Sequence, residues 1–233
     1  MDRVTVLKDR AEVRVNEFVR SVYNWMCIGL AVTGFIAYYI ANSSMSNVII
    51  TNRAIFWVLA IAELGLVFAI SGMIDRMRAG TATALFVLYS ALNGAMLSSI
   101  FVVYDNASIA KVFFICSGTF LACSIYGWTT KKDLTSLGGF FMMGLVGMII
   151  ASVVNMFYKS SMLYTMISYI GVFVFVGLTA YDTQKIKDMA VSQPDGLDGG
   201  VIRKGAILGA LSLYLDFINL FIMLLRIFGG SRD

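Results

Sequence analysis

Asp216 stands inside Gly205–Leu225, a run that is otherwise apolar, small or neutral. An ionised carboxylate in hydrocarbon costs roughly 2.5 to 3.5 kcal/mol even on lenient insertion scales, so it demands a partner, a water-filled cavity or a proton. Asp182, at the end of the preceding apolar run, is the acid placed to meet it. Two carboxylates confined together cannot both ionise cheaply, so one proton is expected between them. The pair is therefore a candidate pH sensor in a chain with no histidine. Asp182 and Asp216 also offer hard oxygen ligands of the kind Ca²⁺ takes, although two carboxylates alone are an incomplete calcium site.

Helical spacing gives Asp216 a context. Gly205, Gly209, Ser212, Asp216 and Asn219 recur at intervals of three and four, which predicts one small, polar stripe facing the interior of a bundle. Ser212 and Asn219 are thus candidate supports of the path. Glu63 is a third acid in an apolar run, either lining the same path or held as a packing residue, and Asn93 is its candidate polar partner. Arg76 and Arg78 follow the Glu63 run. Either can reach inward as a latch on Asp182, or serve only to fix topology.

These residues must be held by helices in a membrane. The chain has 233 residues, 59% hydrophobic and 14% charged, with a single proline; soluble domains carry about a quarter charged residues. Apolar runs near 22–41, 54–74, 81–104, 111–128, 134–157, 162–182 and 206–228 are each long enough to span, and predict an all-α, polytopic protein of seven transmembrane helices. The first run lacks a small-residue cleavage site and reads as a retained span. Only Ala190–Gly200 is a sizeable loop. Ser90, Gly94 and Ser98, like Gly205 and Gly209, permit close helix approach. Gly138, Gly139, Gly144, Gly147, Gly171 and Gly177 suit either bending or tight packing. Trp25, Trp57 and Trp128 read as interfacial anchors. Cys27, Cys116 and Cys123 have no metal-ligand or disulfide spacing and read as small buried hydrophobes.

Basic residues set the orientation. Of the 18 Lys and Arg, 13 fall on the side of the N-terminus, among them Arg76, Arg78, Lys131, Lys132, Arg203 and Lys204. The positive-inside rule then predicts a cytoplasmic N-terminal segment 1–20, a membrane domain 21–228 and a short extracytoplasmic tail 229–233. The net charge of +4 is dispersed over loops, which points to anionic lipid headgroups and not to nucleic acid. Nothing in the sequence demands more than a monomer. No histidine, nucleotide loop or HExxH motif is present, so an enzyme is not expected and no cofactor is implied.

The segments Glu63-Leu-Gly-Leu-Val-Phe, Leu88-Tyr-Ser-Ala-Leu-Asn-Gly94, Leu178-Thr-Ala-Tyr-Asp-Thr-Gln184 and Leu211-Ser-Leu-Tyr-Leu-Asp-Phe-Ile-Asn-Leu220 resemble the Bax-inhibitor family of transmembrane Bax-inhibitor-motif proteins. The similarity runs from about Asn16 to Phe228, and its last two segments are the most specific. The resemblance implies a seven-helix fold around a central sixth or seventh helix and a pH-sensitive Ca²⁺ leak. It also implies a sensor formed by the acids matching Asp182 and Asp216, and a latch from a second-helix arginine, here Arg76 or Arg78. The short N-terminal region looks most like a bacterial member, in the inner (cell) membrane. Some such relatives are associated with a membrane quality-control protease, and eukaryotic ones with suppression of cell death. A passive, proton-regulated Ca²⁺ conduit is thus the leading expectation. The alternatives are a proton-coupled transporter, which would move solute uphill, and a non-transport partner of a membrane protease, for which residues 1–20 would matter more than the acids.

Overall fold

All seven apolar runs are helical in a computed structural model that describes residues 3–194 and 196–230. The helices are α1 (Arg3–Ala41), α2 (Met45–Thr51), α3 (Arg53–Met73), α4 (Ala79–Leu97), α5 (Ile100–Val103), α6 (Asn106–Thr129), α7 (Thr135–Tyr158), α8 (Ser161–Val191) and α9 (Gly199–Phe228). Among the described residues seven spans are long and apolar enough to cross a membrane. The protein is an all-α, seven-span membrane protein. Met1, Asp2, Asp195 and residues 231–233 belong to the expected N-terminal segment, loop and tail, and lie outside the described residues.

The helices outrun the apolar stretches that predict them. α1 is continuous from Arg3, so most of the polar segment 1–20 is its first half. α8 runs nine residues past Asp182, and α9 starts six residues before Gly205. Hydropathy marks where lipid ends, whereas a helix continues as long as its backbone ladder closes. The third span is also broken, between α4 and α5. There Ser98 Oγ donates to Ala95 O at 2.6 Å, and the Ser98 amide is shared between Gly94 O and Ala95 O. A serine hydroxyl that competes for ladder carbonyls loosens the helix at that turn.

The chain divides into two units. The first comprises Met1–Val103 and Lys187–Tyr214. Here α1 packs mainly on α4, and α3 on α4. Gly94 makes the α1–α4 approach possible, since a Cβ there would lie 2.6 Å from Thr33 O. Asn52 caps α3 by accepting from Ala54 N at 3.0 Å. At the other end of α3, Lys204 Nζ donates to Asp75 O at 3.2 Å, meeting a carbonyl the helix end leaves open. Arg203 lies over the Trp25 ring at 5.3 Å.

The second unit comprises Tyr104–Ile186 and Leu215–Asp233. Three glycines seat α8 in it: Gly127 against the Ala180 backbone, Gly138 against the Tyr181 ring and Gly177 against the Phe141 ring, with no room for a Cβ at any of them. Close packing, not bending, accounts for these positions. The rings of Phe113 and Phe120 meet Phe217 edge-on, and Gly230 N donates to Ser108 Oγ at 3.1 Å.

Burial is uneven along the chain. Within their most apolar stretches α9 is 72% buried and α3 only 6%. α9 is therefore a core helix apolar on every side, and its small polar stripe does not by itself mark the inward face. Leu213, Tyr214 and Leu220 are fully buried, whereas Ser212 and Asn219 are half-buried. Phe68, Phe114 and Phe157, all strongly exposed, are the side chains that lipid would cover. Cys116 is buried as expected, Cys123 half-buried, but Cys27 is exposed.

The α1–α4 contact gives a direct check. Gly94→Ala is expected to lower stability in detergent by about 1–3 kcal/mol through overpacking. Gly34→Ala, in open space on the partner helix α1, is expected to leave stability unchanged or to raise it by up to about 1 kcal/mol. Reversible unfolding of the two variants reads the difference.

Candidate functional site

Asp182 is gripped by its neighbours in sequence. Ala180 backs onto Gly127 and Tyr181 onto Gly138. Thr183 Oγ1 donates to Ser124 Oγ at 3.4 Å. Gln184 clamps the α6–α7 connector twice: its Nε2 donates to Lys132 O at 2.9 Å, and its Oε1 accepts from Leu134 N at 2.8 Å. The segment Ala180–Gln184 thus touches α6, α7 and their connector, and Asp182 is left to meet α9. Asp182 is half-buried.

Asp216 is fixed in the same manner. Its neighbour Phe217 offers its carbonyl to the Cys116 thiol at 3.7 Å and its ring to Phe113 and Phe120. Leu215 O accepts from Asn219 Nδ2 at 2.8 Å, so the Asn219 amide serves its own helix. Asp216 is only 4% exposed.

The two carboxyls are near enough to act on one another electrostatically. Lys185, one turn beyond Asp182 and exposed, is close enough to act on Asp182 electrostatically. Asp216 Oδ2 is buried and has no hydrogen-bond partner. A buried, unsatisfied carboxylate oxygen is costly, and a proton or a cation would answer it. Counted from the helix ends that flank the α8–α9 loop, Asp182 lies about 14 Å from Val191 along α8 and Asp216 about 26 Å from Gly199 along α9. Among the described residues no three His, Cys, Asp or Glu side chains converge, so the pair offers a cation two carboxylates and not a cage.

The other expected residues fall in the first unit, with Ser212 among them. Asn93 Nδ2 donates to Glu63 Oε2 at a long 3.5 Å, leaving Glu63 Oε1 and Asn93 Oδ1 buried without partners. Beside them, Thr33 Oγ1 meets the Tyr214 hydroxyl at 2.6 Å, and the Tyr89 ring stacks edge-on against Tyr214 at 5.6 Å. Arg76 and Arg78 stand exposed on the turn between α3 and α4, flanking the Asp75 carbonyl that Lys204 meets. Sequence reasoning missed Gln184 and Thr183. The available signal was two hydrogen-bonding side chains directly after Asp182 in a helix; their partners lie some fifty residues upstream.

Seven spanning helices with a buried acid pair define a polytopic membrane protein. A family model described as "Inhibitor of apoptosis-promoting Bax1" matches residues 15–233, and the chain belongs to this Bax-inhibitor family. It is 51% identical over 229 residues to the inner membrane protein YbhL of Escherichia coli, covering 98% of this chain and 97% of that protein. It is 44% identical to an uncharacterized protein of Borreliella burgdorferi, over 99% of each chain. An uncharacterized membrane protein of Streptococcus pyogenes is 37% identical, over 97% of this chain and 98% of its own. The family is non-catalytic and is linked to Ca²⁺ handling. Likeness to an inner membrane protein over nearly both whole chains, with seven spans, makes this a multi-pass inner-membrane protein.

The Gln184 clamp predicts a local effect. Gln184→Ala removes both connector bonds, so amide exchange at Leu134 is expected to rise about tenfold or more with exchange in α9 unchanged. Mass-spectrometric hydrogen exchange over residues 130–135 reads it.

Proposed function

We propose that the protein is a pH-sensitive leak through which Ca²⁺ crosses the membrane passively, gated by protonation of the Asp182–Asp216 pair. The observation that carries this reading is the meeting of two carboxyls, one of them 4% exposed with an orphaned oxygen, inside a protein of a family linked to Ca²⁺ handling. With one proton shared, the pair is a single negative charge that attracts a cation while avoiding two buried charges. Two carboxylates without a third suit passage better than storage, because a transported ion must leave as readily as it enters.

Arg76 or Arg78, on the α3–α4 turn, is the chain's candidate for the family's second-helix latch, and Asp182 is the acid whose protonation opens the path. Lys185 tempers the charge on the same acid. The N-terminus is cytoplasmic, as the basic residues vote, which sets Asp182 toward the cytoplasmic end of its helix.

Ca²⁺ flux into liposomes carrying the purified protein is expected to depend on pH through the range where the shared site takes up its second proton. Asp182→Asn and Asp216→Asn are each expected to abolish that pH dependence; unchanged, pH-dependent flux in both variants would sink the assignment. Uphill accumulation of a solute strictly tied to proton entry would instead identify a coupled transporter.

A further inference from the structure

The second unit holds a cavity of about 380 Å³ between α6, α7 and α8 that takes no part in the acid pair. It is bounded by Ala122, Cys123 and Tyr126 of α6, Leu137 and Phe141 of α7, and the Val176–Ala180 face of α8. Its lining is almost wholly apolar and it is partly open. A volume of this size admits on the order of a dozen water-sized groups, the length of a fatty-acyl segment with as many methylenes. Ala122 and Tyr126 are exposed among helices whose outward side chains face lipid, so the cavity opens toward the bilayer.

Leu134, whose amide is tied to Gln184, also lines the cavity. Immediately before Leu134 in the same connector come Lys131 and Lys132, both exposed. The neighbouring acid, Asp133, has its carboxylate turned to the start of α7, where Oδ1 accepts from Thr135 N at 2.8 Å. The Gln184–Lys132 bond ties the backbone of this connector to α8, so the basic pair directly precedes a residue that lines the cavity. An apolar slot with two ammonium groups beside it complements a phospholipid of net negative charge, and juxtamembrane lysines each favour anionic headgroups.

We infer that the cavity between α6, α7 and α8 is a binding site for one anionic phospholipid, an acyl chain lying in the cavity and the phosphate resting on Lys131 and Lys132. The site is independent of what passes the acid pair and rests only on the chain being embedded in a bilayer. Because Gln184 joins the connector to the turn that carries Asp182, an occupied site stiffens the support of that acid.

The test is native mass spectrometry of the full chain in detergent, titrated with dioleoyl phosphatidylglycerol or dioleoyl phosphatidylcholine. One phosphatidylglycerol per chain is expected to be retained with a roughly thirtyfold preference over phosphatidylcholine, the effect of two lysines. Lys131→Gln with Lys132→Gln is expected to erase the preference, and Ala122→Phe, at an exposed position on the cavity rim, to remove the tight adduct. Cys123→Trp is the second occluding variant should Ala122→Phe not yield folded protein. Equal retention of the two lipids, or a phosphatidylglycerol adduct untouched by occlusion, would overturn the proposal.

Discussion

A carboxyl group at position 216, 4% exposed in a helix that is otherwise apolar on nearly every side, is the constraint on which the second unit is organised. Leaving such a group charged and alone is untenable in hydrocarbon. The fold answers by bringing up a second acid instead of a base. Pairing with a lysine or arginine would lock the site as an ion pair, whereas pairing with another acid makes the outcome depend on proton supply. In the proposed function, the energetic penalty of Asp216 becomes a sensitivity to pH.

Holding two like groups together requires that neither helix can move away. Lipid offers no hydrophobic drive between helices, so the hold comes from close packing and hydrogen bonds. Gly127 and Gly138 let α8 seat its Ala180 and Tyr181, the residues directly before Asp182. Thr183 and Gln184, directly after it, bond to α6 and to the α6–α7 connector. On the opposing helix, Phe217 is held by two aromatic rings, those of Phe113 and Phe120, and by a thiol on its carbonyl. The acids sit between fixed flanks, and the charge between them is the variable that remains.

The spans were legible in the sequence because burial in lipid is a matter of composition, and seven apolar runs are hard to hide. Helix ends were less so, since α1, α8 and α9 continue through polar residues that hydropathy reads as loop. The break at Ser98 depends on a hydroxyl bonding its own backbone, which a window average does not register. Energetics alone singled out Asp182 and Asp216 as acids in need of a partner, and Asn93, a candidate partner of Glu63 in the sequence, lies within reach of it. The stripe on α9 misled about its orientation, because Gly205, Ser212 and Asn219 share the half-buried face of Leu208, Leu215 and Ile222, while Gly209 and Asp216 are buried. Gln184 could not be read, for its partners Lys132 and Leu134 are distant in sequence and carry no marking residue type. The lipid-facing cavity was equally invisible, being a space and not a residue.

The central claim is that Asp182 and Asp216 titrate as one group. Infrared difference spectroscopy on the protein in lipid, between mildly alkaline and mildly acidic buffer, observes the carboxyl C=O stretch itself. The account predicts a protonated-carboxyl band at the alkaline end that strengthens on acidification and is altered throughout by either Asp182→Asn or Asp216→Asn. A spectrum in which each substitution removes an independent band and leaves the other acid's titration unmoved would contradict it.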